Sequence, residues 1–176
     1  MKSAAVMMAG ALALGLLAAP ASAQDYAPDR VKKSVEIADL AAVVGSLGHQ
    51  VIEEGEGEDV LVIGEDPDQI KYILLGTACN LEGVAGCQGV LMQVQFDLPA
   101  GTTPETLAKA NLEYAALNVW ANFEDKTLGF TRYVVLDQGV TMANLRANIE
   151  VLLSLVANAY PVAAGEDPVA ETPAGA

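Results

Sequence analysis

Basic residues are scarce in this chain: 9 Lys and Arg stand against 23 Asp and Glu, a formal charge of −14. A surface that acidic repels phosphate, which argues against nucleic acid and anionic lipid as partners and favours solubility and basic partners. Histidine is nearly missing. The single one, His49, lies beside Gly48 with no Cys-x-x-Cys, His-x-x-x-His or His-Glu-x-x-His around it, so no metal centre is expected. The chain also lacks a Gly-x-Ser-x-Gly elbow, a Gly-x-x-x-x-Gly-Lys-Ser/Thr phosphate loop and a Gly-x-Gly-x-x-Gly turn. Gly55-Glu56-Gly57-Glu58 is rich in glycine, but its glutamates would repel a phosphate. The acids from Glu53 to Glu58 lack the Asp-x-Asp-x-Asp-Gly spacing of a calcium loop and read as a solvated turn. Without a nucleophile and base at a recognisable spacing, no enzymatic activity and no cofactor are expected. A carboxylate-dependent hydrolase is the alternative, since acids are plentiful, though no pair is singled out.

Long apolar runs are also rare, with one exception at the N-terminus. Lys2 precedes an uncharged stretch from Ala4 to Ala19, and Ala21-Ser22-Ala23 has the small-x-small form of a cleavage site. This pattern is a secretory signal peptide, residues 1–23, too short for an ordinary membrane span. The expectation is a periplasmic or secreted protein, cut after Ala23, with no membrane span left. The remainder is long enough for one domain with a real core.

Two cysteines in an exported chain are expected to pair. Cys79 and Cys87 are separated by seven residues, too many for a Cys-x-x-Cys redox pair, so the bond is read as structural. Closing a loop that short stabilises a fold by roughly 2–3 kcal/mol.

Residues 24–33 read as a flexible lead. From Ser34 a helical pattern runs through Val35, Leu40, Val43, Val44 and Leu47 and ends at Gly45 and Gly48. Two short strands, His49–Glu53 and Asp59–Ile63, flank the acidic turn. Next come two long strands, Ile70–Cys79 and Cys87–Phe96, which form a hairpin. Setting Cys79 opposite Cys87 puts Leu75 opposite Leu91, Ile73 opposite Gln93, Leu74 opposite Met92 and Tyr72 opposite Val94. Alternation then assigns Tyr72, Leu74, Met92 and Val94 to the core face, and the cysteines to the other face with Gln93 and Gln95. That second face keeps Ile73, Leu75 and Leu91. With Gln93 they form the candidate binding or dimer surface, unless a helix of the same chain covers them.

Thr103-Pro104-Glu105 opens a second helix, with Leu107, Ala108, Leu112 and Ala115 as its buried stripe. Ala116–Phe123 reads as a strand, with helix extension through Asn118 left open. Leu128–Leu136 is a further strand. Trp120, Phe123, Phe130 and Tyr133 gather on this later hairpin. They read as core residues, or as an aromatic pocket if the chain carries a small apolar ligand. Thr141 caps a last helix carrying Leu145, Ile149, Leu152, Leu153 and Val156, which Pro161 is expected to stop. Residues 161–176 read as a disordered acidic tail. The domain is therefore residues 34–160, in the order α-β-β-β-β-α-β-β-α. It is an α+β fold with an antiparallel sheet of about five to six strands.

The hairpin with its two cysteines, the strand Leu91-Met92-Gln93-Val94-Gln95-Phe96, the helix holding Asn111 and the Gly139-Val140-Thr141-x-x-Asn144-Leu145 opening of the last helix resemble the YbjN family of bacterial sensory-transduction-regulator-like domains. The resemblance runs from about Ser34 to Tyr160. It implies a fold similar to type III secretion chaperones, often dimeric, that holds an extended segment of a partner protein. It implies no catalytic residues. The expected partners are accordingly a second copy of the chain and an extended stretch of another protein.

Overall fold

The computed structural model of the chain describes residues 26–56 and 59–166. Residues 1–25, which hold the expected signal peptide, and residues 167–176 of the expected tail lie outside the described residues, as do Gly57 and Glu58 of the acidic turn. In chain order the elements are β1 (Val31–Lys32), α1 (Ile37–Ser46), β2 (Gln50–Glu54), β3 (Leu61–Glu65), β4 (Lys71–Cys79), β5 (Cys87–Asp97), α2 (Pro104–Glu113), β6 (Asn118–Asn122), β7 (Thr127–Val135), β8 (Val140–Thr141) and α3 (Met142–Ala164). Strands β2 to β7 make one antiparallel sheet in the order β2-β3-β4-β5-β7-β6. The fold is α+β, as the alternating strands and amphipathic helices require.

The β4–β5 hairpin pairs Tyr72 with Val94, Ile73 with Gln93, Leu74 with Met92, Leu75 with Leu91 and Cys79 with Cys87, the register expected from the sequence. Tyr72, Leu74, Val90, Met92, Val94, Leu128, Phe130 and Val134 are buried on the inner face. They share one core with Leu40, Val43 and Val44 of α1, Ala110 of α2, and Leu145, Ile149, Leu152 and Val156 of α3. Helices gather on that face because their apolar stripes bury against its continuous row of large apolar side chains.

The structure bonds Cys79 to Cys87 but corrects the face to which they belong. Cys87 is fully buried in the helix-side core, and Cys79 packs against it. Strict alternation fails here because Ala78 has φ 53° and Gly86 φ 81°, which turns the end of the hairpin inward. A side chain on Gly76 would meet the Cys87 sulfur at 2.6 Å, so a residue without Cβ is needed there. Val35 and Cys87 exchange both backbone hydrogen bonds at 2.9 Å, docking the chain before α1 onto the bridge.

The lead is ordered from Tyr26 onward, because it has work at two helix starts. The carbonyls of Pro28 and Arg30 accept the N–H groups of Ala143 and Met142, two otherwise unpaired donors at the start of α3. Val31 and Lys32 pair with Thr141 and Val140. Asp39, with its side chain 10% exposed, accepts from Lys32 Nζ at 2.7 Å, from Arg30 at 3.3 Å and from the Glu36 N–H at 3.1 Å. That third bond belongs to a capping box, so α1 begins at Ile37 with Glu36 as its cap, rather than at Ser34.

Two further boundaries differ from expectation. Helix α2 buries Ala110 and half-buries Leu107, with Tyr114 at its C-cap packed on the same core, whereas Leu112 is 83% exposed and Ala108 and Ala115 face water. Alanines fit either side of a helix, so they misplaced the stripe. Helix α3 continues through Pro161 to Ala164 and closes at Gly165, φ 72°, where the Glu166 N–H reaches the Pro161 carbonyl at 2.9 Å. The tail therefore does not begin at residue 161.

Candidate functional site

The outer face of the sheet is built by the odd-numbered residues of β3, of β4 as far as Thr77, of β5 from Gly89 and of β7, and by the even-numbered ones of β6. One cross-strand row is Leu61, Leu75, Leu91 and Tyr133; the next is Ile63, Ile73, Gln93, Thr131 and Asn118. Residues directly opposite on neighbouring strands bring their Cβ atoms to about 5 Å, so Leu61, Ile63, Ile73, Leu75 and Leu91 form one aliphatic patch. All five are half-buried, and none joins the core on which the three helices pack. Among the described residues no helix covers this face. Ile73, Leu75, Leu91 and Gln93, the candidate surface, are thus brought together. Leu61 and Ile63 extend the patch and were missed, because Val60–Ile63 is an unbroken apolar run in which either parity could point inward.

Two aromatic rings lie flat against this face. Trp120 covers Gly129, where an added Cβ would sit 2.1 Å from its ring. Tyr133 reaches across Gly89, and its hydroxyl is 2.9 Å from the Thr77 Oγ1. The aromatic pocket expected from Trp120, Phe123, Phe130 and Tyr133 is not formed. Phe130 is fully buried on the inner face, Trp120 and Tyr133 are on the outer face, and Phe123 is 45% exposed beyond the end of β6. Pairing puts Trp120 opposite Gly129 and Tyr133 opposite Leu91, so an odd–even difference along β7 separates Phe130 from both.

The sheet edges are treated differently. At β6 the Asn111 carboxamide accepts the Val119 N–H at 2.9 Å and donates to the Val119 carbonyl at 2.8 Å, occupying the groups an incoming strand would use. Asn111→Ala should cost about 1–2 kcal/mol, read as a lower midpoint in a urea titration, and should leave this edge able to pair with another chain. At β2 the register slips between Val51 and Glu53, and Glu53 and Glu54 are exposed. A bulge and like charges make that edge a poor template too. Among the described residues the broad outer face, not an edge, is the open surface.

A cleft of about 570 Å³ opens on the helix side, lined by Asp66, Asp68, Ile70, Phe96, Leu153, Ser154, Val156, Ala157 and Tyr160. Nearby, His49 Nδ1 and the buried Tyr72 hydroxyl are 2.9 Å apart. Burial lowers the His49 pKa from its ordinary 6.5, and Arg146 adds to that, while Asp66 and Glu150 pull it upward. Burial likewise raises that of Tyr72, with Asp66 adding. The folded chain holds the imidazolium less well than the unfolded chain does. The stability His49 contributes is therefore present above pH 6.5 and lost as pH falls below it. His49→Gln should flatten the thermal-stability profile between about pH 7.5 and 5 relative to the parent chain. Comparing the two chains isolates the contribution of His49 from that of every other titrating group. Among the described residues no group of three His, Cys, Asp or Glu is placed to hold a metal ion.

No curated protein sequence matches the chain. Among solved structures, a chain of the ExsC–ExsE complex matches with a TM-score of 0.47 and 16% identity, over 67% of this chain and 85% of that one. A chain of the HopA1–SchA chaperone–effector complex matches with a TM-score of 0.47 and 13% identity, over 70% and 96%. The YbjN family profile, described as "Putative bacterial sensory transduction regulator", matches residues 28–164, nearly the whole of the folded region just described. The chain belongs to the YbjN family.

Proposed function

We propose that this chain is an exported, non-enzymatic, chaperone-like binding domain that holds an extended segment of another protein against the outer face of its sheet. One observation carries the reading: Leu61, Ile63, Ile73, Leu75 and Leu91 adjoin on a sheet face that no described helix covers. Aliphatic patches this continuous mark interaction surfaces on soluble proteins. The polar strip of Gln93, Thr131 and Asn118 beside them offers hydrogen bonds to a backbone laid across the strands. The partner segment carries Lys or Arg next to its apolar residues, because the chain's −14 charge attracts them. Without a partner, two copies pair weakly through the same face. Like-charged protomers repel, so added salt should tighten that dimer. The signal-like pattern of residues 1–23 supports a site of action in the periplasm or outside the cell.

The test uses the chain from Gln24 onward against an immobilised library of extended peptides varying in apolar alternation and in charge. Peptides with alternating apolar and basic residues should be retained, and light scattering should show a dimer that strengthens with salt. If no peptide is held better by the parent than by a Leu75→Asp/Leu91→Asp double variant, the reading fails.

A further inference from the structure

The cleft on the helix side makes a second site, independent of the outer face. Its floor and walls are apolar: Ile70, Phe96, Leu153, Val156, Ala157 and Tyr160. Phe96 is held edge-on between Tyr160, at 4.9 Å between ring centroids, and Phe130, at 6.0 Å, which fixes the aromatic wall. The volume, about 570 Å³, matches that of small-molecule sites. Among the described residues, the only charged groups lining it are the carboxylates of Asp66 and Asp68. Neither makes an ion pair with the described residues. Asp66 Oδ1 accepts the N–H groups of Asp68 and Ile70, both at 2.9 Å, so the turn holds this carboxylate in place at the cleft.

We propose that this cleft binds a small organic cation with an apolar body, a hydrophobic amine. The body would fill the space over Phe96, Val156 and Ala157, and the ammonium would stand between the two aspartates, close to the aromatic wall. The chain's acidic field raises the local concentration of such a cation and excludes its anionic counterpart.

The experiment titrates the chain with three matched probes, 3-phenylpropylamine, 3-phenylpropanol and 3-phenylpropionate, following backbone amide shifts by NMR. The amine should bind at least about tenfold tighter than the carboxylate and lose that advantage at high salt. Its shifts should centre on Phe96, Ser154, Ala157 and Tyr160. Asp66→Asn with Asp68→Asn should remove the preference for the amine. An Asn at position 66 keeps the oxygen that accepts the turn's N–H groups, so the loop stays folded. Ala157→Trp, on the exposed side of α3, should block all three probes while leaving peptide capture by the outer face unchanged. The proposal is overturned by equal binding of amine and carboxylate, by shifts centred on the outer face, or by no saturable binding of the amine.

Discussion

Leu91→Asp is expected to weaken peptide capture by about a hundredfold or more and to abolish self-association, while the domain stays folded. Leu91 sits at the middle of the outer face, between Leu75 and Tyr133 on adjacent strands. In the free chain it is only half-buried, so a carboxylate there keeps contact with water. Under a docked segment the same carboxylate would lose its water among Leu75, Ile73 and the incoming apolar groups. Desolvating an unpaired charge costs several kcal/mol, and about 2.7 kcal/mol already corresponds to a hundredfold. Gln93→Ala, at the neighbouring position on β5, removes hydrogen-bonding capacity alone and should cost tenfold or less. Peptide affinity and melting temperature, measured together, check this. Undiminished capture by a folded Leu91→Asp chain would contradict it.

The second large effect is on stability. Replacing both Cys79 and Cys87 by alanine should destabilise the fold by about 3–4 kcal/mol. The loop closed by the bond is short, which accounts for about 2.5 kcal/mol in the chain-entropy treatment. The rest comes from the space vacated by the fully buried Cys87 sulfur, which contacts the Gly76 backbone and lies under the Val35 bridge. For a domain of this size that is a fall of about 10 °C in melting temperature. A thiol reductant in the parent chain keeps both sulfurs and should give a smaller fall, the share of loop closure alone at about 2.5 kcal/mol, whereas a bond of no structural consequence would leave the two curves superimposed.

The central sheet could be read from the residues because its hairpin is strongly constrained. Two cysteines fix one rung, and the alternation of Leu91-Met92-Gln93-Val94-Gln95 rules out a slip by one residue. The same period-2 reasoning misplaced the cysteines, because the positive φ of Ala78 and Gly86 is invisible in a pattern of apolar and polar letters. The candidate patch was half legible for a related reason. Gln93 and Gln95 mark the outer face of β5, but nothing polar marks it on β3. The lead failed on long-range grounds: Arg30 and Lys32 look like loop residues until α1 brings the Asp39 carboxylate beside them. Asn111 was legible only as part of the family resemblance, and its part in sealing an edge depends on β6 returning alongside α2. The cleft could not have been foreseen, since its walls come from three separate parts of the chain.

The central claim is that the outer face, which no described helix of the chain covers, is where the proposed partner docks. Hydroxyl-radical footprinting tests this most directly, first at high dilution and then with a saturating captured peptide. Leu75, Leu91, Trp120 and Tyr133 should be oxidised far faster than Leu74 and Phe130 in the free chain, and should become protected in the complex. Protection of those four side chains at every dilution, or their continued oxidation in the complex, would contradict the account.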